Sequence, residues 1–246
     1  PVSPGPPGAT PQLALRYDSG AGNGPFGLGW SLDLPAITRR TDKKLPSYPD
    51  TLDPGRDDDT FLLAGAEELV PLPGSGVSTT VGGERYRVHR YRPRIDTAFS
   101  RIERWMHEAS RTCHWVVSTG DNVTARFGPS AAQRVADPAN PGRTASWLLA
   151  ETVVPSGHVV RYEYAGEDGA AVLFGSVEEA HRSPGLVSAQ RYLKRVRYGN
   201  RRSPLADPGW ERAGWAFELV LDYDDHDREV PTPAPQRPWS VRPDPF

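Results

Sequence analysis

The sequence predicts an all-β protein of antiparallel strands with minimal helix. Three observations carry that expectation. Of 246 residues, 24 are Gly and 26 are Pro, a load that helix interiors do not tolerate. Short segments alternate apolar and polar residues with the period of two that marks a half-buried strand. Turn-forming clusters separate these segments at short intervals.

The elements follow in order. Residues 1–11 are Pro- and Gly-rich and read as an extended lead-in. Leu13, Leu15 and Tyr17 then oppose Gln12, Arg16 and Asp18. Trp30, Leu32 and Leu34 oppose Ser31 and Asp33. Tyr86 and Val88 oppose Arg85, Arg87 and His89. The run from Cys113 to Val117 reads as a buried strand, and Val123, Ala125 and Phe127 oppose Asn122, Thr124 and Arg126. Val160, Tyr162 and Tyr164 oppose Arg161 and Glu163, and Tyr192, Val196 and Tyr198 oppose Arg191, Arg195 and Arg197. The clearest alternation is Trp215, Phe217, Leu219, Leu221 and Tyr223 against Glu218 and Asp222. Turns are expected at Pro73-Gly74-Ser75-Gly76, Gly82-Gly83, Gly120-Asp121-Asn122, Pro155-Ser156-Gly157 and Gly199-Asn200. The best helical candidate is residues 176–182, two turns at most before Pro184. Stretches 42–59 and 224–245 are acidic and Pro-rich, without alternation. Neither cuts the chain, so residues 1–246 are expected to form one unit. The openings Pro1-Val2-Ser3-Pro4 and the close Pro243-Asp244-Pro245-Phe246 read as the ends of a segment of a longer protein.

Composition narrows the function classes. With 29 basic and 31 acidic residues the net charge is −2, so no field favours nucleic acid. Lys43, Lys44 and Lys194 are the only lysines; the remaining bases are Arg, whose fork suits carboxylates. Cross-strand Arg–carboxylate pairs or plain solvated faces are expected. No apolar run approaches the roughly 18 residues of a membrane span. The single cysteine, Cys113, excludes an internal disulfide and a Cys-rich zinc site, and reads as an inert buried thiol.

The candidate chemistry is thin. Gly22-Asn23-Gly24-Pro25-Phe26-Gly27 spells GxGxxG, but a strand-like segment follows it where a dinucleotide site needs a helix N-terminus. Gly20, Gly22, Gly24, Gly27 and Gly29 instead suit positive φ or close backbone contact in a compact hairpin. Phe26, Leu28 and Trp30 are then expected to plug that hairpin into a core. The acidic run Asp57-Asp58-Asp59, with Asp50 and Asp53 upstream, lacks the order of a calcium loop and reads as a solvated loop. Asp222, Asp224, Asp225, His226 and Asp227 read as a strand-end turn and not a metal site. No Gly-x-Ser-x-Gly elbow is present. No catalytic residue, metal or cofactor is expected.

The segment from Tyr17 to Leu32 resembles the opening signature of the SpvB-type domain. This domain begins the B components of insecticidal toxin complexes (Tc toxins) and the Salmonella plasmid virulence protein. The signature comprises Tyr17, Gly20, Gly22, Asn23, Gly24, Pro25, Phe26, Gly27, Leu28, Gly29 and Trp30. Further blocks continue the resemblance in order: 37–43, 61–71, 91–94, 102–105, 191–200 and 242–246. Lys44 stands where the family has glycine, and Glu68 where it has aspartate.

The resemblance implies a β-rich, non-enzymatic piece of a hollow Rhs/Tc-type shell belonging to a secreted, extracellular toxin. The shell encapsulates and helps deliver a C-terminal toxic effector. The implied partners are the remaining Rhs-type shell, the C component or C-terminal effector, and the pore-forming A component, with no nucleic acid and no direct membrane span. The alternative it implies is a targeting or binding module preceding a separate effector such as an ADP-ribosyltransferase domain. A largely polar lumenal face is expected of a wall that holds unfolded cargo.

Overall fold

Glycine pairs and Asx turns break the chain into short extended pieces, and every paired piece runs antiparallel to its neighbours. The computed structural model describes residues 2–20, 22–24, 26–48, 59–95, 99–167, 174–177, 180, 185 and 187–237. In these residues the strands are β1 (Leu15–Tyr17), β2 (Asn23–Gly24), β3 (Gly27–Leu28), β4 (Trp30–Leu32), β5 (Ala36–Arg39) and β6 (Phe61–Leu63). There follow β7 (Glu67–Pro71), β8 (Val77–Val81), β9 (Glu84–Pro93), β10 (Arg101–His107), β11 (Cys113–Ser118) and β12 (Thr124–Phe127). The last are β13 (Arg134–Asp137), β14 (Asn140–Val153), β15 (Val159–Gly166), β16 (Arg191–Asn200) and β17 (Trp215–Val220). Helix is confined, among the described residues, to three single 3-10 turns: Ala131–Gln133, Val187–Ala189 and Trp210–Ala213.

The strand order closes on itself. β5, β6, β7, β9, β10, β11, β12 and β14 pair in sequence, and β14 returns to β5. Closure follows from the length of β14, whose 14 residues pair with β5 through Ser146–Leu148 and with β12 through Leu149–Val153. β15, β16 and β17 leave the ring from the far end of β14 as a three-stranded wing. β8 adds to β9 through the Gly82-Gly83 turn, where φ of +58° and +86° give the left-handed pair a two-residue hairpin needs.

An eight-stranded barrel is just wide enough to be filled by side chains, and this one is filled. Phe61 sits at its centre, 5.0 Å from the Trp115 ring, 5.7 Å from Trp147 and 6.0 Å from Tyr91. The Trp147 indole N–H donates to the Cys113 carbonyl at 2.8 Å. Two guanidinium groups share this interior. Arg104 lies 4.8 Å and Arg39 5.0 Å from the Phe61 ring centre, which offsets part of their desolvation. Arg39 also pairs with Asp59 at 2.6 Å. The apolar interior is thus a packed core and not a lumen.

Several local expectations are corrected. Leu15, Tyr17, Leu28 and Trp30 are exposed, because β1 pairs only with β4 and β2 only with β3, outside the main sheet. Trp30 and Leu28 therefore do not plug into the core. Asp59 is buried on Arg39 and not a solvated loop residue; Asp50, Asp53, Asp57 and Asp58 lie outside the described residues. Gly199 and Asn200 are the last two residues of β16 and not a turn. The Asn200 side chain accepts from the Val159 amide at 2.8 Å and donates to the Gly157 carbonyl at 3.0 Å. Among the described residues of 176–182, no helix forms and Val177 is exposed.

Candidate functional site

The Gly-rich signature folds into two stacked ribbons. β1 pairs with β4 as Leu15↔Leu32 through Tyr17↔Trp30, and β2 pairs with β3 as Asn23↔Leu28 and Gly24↔Gly27. Glycine is required at two positions by space alone. A Cβ on Gly24 would lie 2.7 Å from the Trp30 carbonyl oxygen. One on Gly29, at φ +77°, would lie 2.7 Å from the Tyr17 ring and 2.8 Å from the Asp18 oxygen. Gly27 takes φ +100°, whereas Gly20 and Gly22 are neither crowded nor left-handed. Pro25 lies outside the described residues. The Tyr17 and Trp30 rings meet at 5.2 Å, tilted by 55°, on the outside. Phe26 turns the other way, to Tyr223 at 6.1 Å. The ribbons thereby roof a shallow apolar cleft over Leu34, Tyr164, Tyr192 and Tyr223. The hydroxyls of Tyr164 and Tyr223 are tied to the carbonyls of Leu149 and Leu193 at 2.9 Å each. Burial pushes both phenols up, so both stay protonated at neutral pH.

Across the outer face the charges are paired. Arg126, Glu151, Arg161, Arg197 and Glu218 lie directly opposite one another on β12, β14, β15, β16 and β17. Arg126 and Arg161 reach Glu151 at 3.1 and 3.2 Å. Arg197 reaches Glu218 at 3.4 Å and Glu163 at 3.1 Å, and Arg195 reaches Glu218 at 3.0 Å. The cross-strand Arg–carboxylate pairs expected from the composition are therefore present.

The histidines fall in different settings. His107 Nε2 lies 2.9 Å from Glu84 Oε2, and its Nδ1 lies 2.7 Å from Ser110 Oγ. That chain of contacts has the residue types of a hydrolytic triad. Yet the Ser110 amide itself donates to His107 Nδ1, and Ser110 Oγ also contacts Thr112 Oγ1 at 2.8 Å. Neither the hydroxyl nor its own amide is left to act on a carbonyl, so the triad is a hairpin turn motif. His114 stacks on Trp105 with the planes 22° apart. Burial, then the positive charges of Arg126 and Arg134, push its imidazole down to about 4. Cys113 is buried, on the core side of the same strand.

The cluster the sequence did not reveal lies under β16. Its register against β15 slips between Glu163 and Tyr164, so Lys194 has no partner residue on β15 and turns inward as a β-bulge residue. Lys194 Nζ donates to both Asp225 carboxylate oxygens at 2.7 Å, to the Leu221 carbonyl at 2.8 Å, and contacts His226 Nε2 at 2.9 Å. Asp222 Oδ1 accepts from the amides of Asp225 and His226. The acidic stretch is thus a strand-end turn, as expected, but it is clamped by a buried lysine. Among the described residues no group of three His, Cys, Asp or Glu could hold a metal ion, and no helix is long and apolar enough to cross a membrane.

The fold defines an antiparallel β-barrel module carrying a three-stranded wing. The family described as Salmonella virulence plasmid 65kDa B protein, SpvB, matches residues 1–246, and the chain belongs to that family. Mono(ADP-ribosyl)transferase SpvB of Salmonella typhimurium strain 14028s is 38% identical over 258 residues, covering 97% of this chain and 42% of that protein. The Salmonella dublin protein of the same name is likewise 38% identical, with 41% of its length covered. The chain therefore spans less than half of these relatives. Among solved structures, the N-terminal domain of effector protein SpvB from Salmonella typhimurium strain LT2 superposes with a TM-score of 0.85 at 35% identity, over all of this chain and 79% of that one. A TcdB2-TccC3-Cdc42 crystal structure matches with a TM-score of 0.83 at 32% identity, over 98% of this chain and 11% of that one. The Photorhabdus luminescens Tc holotoxin pore gives 0.80 at 32% identity, over 96% and 11%.

Proposed function

We propose that this chain is a non-enzymatic structural domain of a secreted bacterial toxin or virulence protein, one wall segment of a shell that encloses and helps deliver a toxic effector. The observation that carries this reading is recurrence. The same module is 42% of a protein named for ADP-ribosyl transfer and 11% of a chain in a Tc complex. A role common to both hosts is architectural and does not include the transferase chemistry. The filled barrel, which gives a rigid body, and the belt of paired charges on its outer face support it. The partners on this reading are the rest of the shell, the enclosed effector and, through the full-length protein, a pore-forming component.

The test uses the full-length protein. Deleting residues 1–246 should expose the enclosed effector segment to trypsin and abolish its delivery. Unchanged protease protection and unchanged delivery would overturn the reading. A second reading, a targeting module ahead of a transferase, is favoured by the name of the relatives at 38% identity. Saturable binding of this chain to host cells, with no effect on effector protection, would select it.

A further inference from the structure

Most arginines described above face a carboxylate; Arg134 does not. Its Nε donates to the Ser130 carbonyl at 3.1 Å, and the residue lines a cleft of about 200 Å³. The other walls are Tyr86, His107, Thr112 and His114, with Glu84 at the rim. Among the described residues no carboxylate pairs with Arg134, and burial lowers its pKa. His114 makes no hydrogen bond to any described residue, although its ring is held rigidly against Trp105 and Tyr86. Glu84 is largely in solvent and already engaged by His107 at 2.9 Å, so its charge is screened. A partly desolvated cation without a counter-ion, beside an imidazole with open nitrogens, is an incomplete arrangement.

We propose that the cleft between β9, β10, β11 and β13 is an oxyanion site, in which Arg134 and His114 together bind a single carboxylate or phosphate group. The cleft admits such a group and is smaller than the roughly 300–1,000 Å³ of a drug-like pocket. Arg134 supplies the charge and a two-pronged donor. His114 adds one N–H when neutral. The groups facing His114 are Arg126 on β12, Arg134 on β13, Tyr86 and Glu84 on β9, and His107 and Trp105 on β10. A bound anion offsets the two arginines, so binding and protonation of His114 reinforce each other.

Inorganic phosphate and acetate are titrated separately into the 246-residue chain at constant ionic strength, reading the His114 ring carbon by NMR. Saturable shifts at His114, with an upward move of its midpoint, are expected. Phosphate tighter by about tenfold identifies a phosphate group as the natural occupant; equal or better acetate binding identifies a carboxylate side chain. Arg134→Met should abolish the response, and Arg134→Lys, which keeps the charge but loses the fork, should retain a weaker saturable one. A flat response at His114, or one unchanged in Arg134→Met, overturns the proposal.

Discussion

His114 should make the protein lose stability as the pH falls below neutrality, well before its carboxylates titrate. The sign follows from its folded-state pKa of about 4 against about 6.5 for an unfolded histidine. The folded state excludes a proton that the unfolded state accepts, so stability is full above the unfolded value and falls as the pH drops toward the folded one. At about 1.4 kcal/mol per pH unit of difference, the loss between about pH 7.5 and pH 5 is about 2 kcal/mol, reaching about 3 kcal/mol near pH 4. The assay is urea unfolding across this range in buffer free of phosphate and carboxylate, comparing the wild type with His114→Phe. Phenylalanine keeps the stack on Trp105, whose ring centre lies 5.8 Å away, and removes the titration. The difference between the two proteins isolates His114 from the acidic groups they share. Parallel profiles within about 0.5 kcal/mol, or an NMR midpoint for His114 near 6.5, would refute the burial argument.

Three further outcomes follow from the packing. Gly29→Ala should cost about 1–3 kcal/mol, because φ is +77° and the new Cβ meets Tyr17 and Asp18. Gly20→Ala, with only Asp18 Oδ1 at 3.4 Å, should stay within about 0.5 kcal/mol by thermal unfolding; equal effects would dismiss the steric account. Lys194→Met strands the buried Asp225 carboxylate and should cost about 3–5 kcal/mol. Proteolysis should then open first in 222–237; a stable variant with an intact segment would show the clamp to be idle. Trp115→Ala, at 0% exposure in the barrel, should cost about 3–5 kcal/mol. Trp30→Ala, 42% exposed, should cost about 1 kcal/mol, and the reverse order in urea would invalidate the burial assignment.

The class of the fold was legible because period-two patterning needs only one covered face. β12 and β17 show it plainly: Phe127 is buried and Arg126 exposed, and Trp215 and Phe217 are less exposed than Ala216 and Glu218. On β9 the same rule found a covered face, since Val88 is buried, but not the face that fills the barrel. Tyr86 and Val88 are the apolar choice for a core, but Tyr86 packs on Trp105, His107 and His114. Tyr91, five residues on and so on the opposite face, enters the barrel beside Phe61 and Trp115. His89 is buried too. A strand covered on both faces hides its orientation from a polarity pattern. Lys194 was illegible for a different reason. A one-residue bulge inverts the alternation, and the bulge depends on pairing with β15, not on any residue type at 194. Ring closure was equally invisible, since it rests on which strands meet β14 over a separation of roughly a hundred residues.

The outer face gives the proposed wall role its strongest physical footing. On the belt from β12 to β17 the guanidinium groups of Arg126, Arg161, Arg195 and Arg197 each have a carboxylate partner on a neighbouring strand, and Arg161 has a second in Glu211 at 2.9 Å. Charges neutralised at such short range produce fields that fade within a Debye length of about 8 Å. An extended polypeptide lying against this belt must break an existing ion pair for each new one it makes, so the exchange is near neutral in free energy. On the proposed wall reading, such a surface would contact cargo without retaining it. Arg134 breaks the pattern, and that contrast gives it its significance: it is a place where the same chain offers an uncommitted cation to an incoming anion. If the wall reading is right, neutralising belt pairs one partner at a time, as in Glu151→Gln, should slow effector release by creating a sticky cation at Arg126, while Arg161 keeps Glu211. The matched double change that also removes Arg126 should restore it in part. Release rates indifferent to both would show that the belt faces away from cargo.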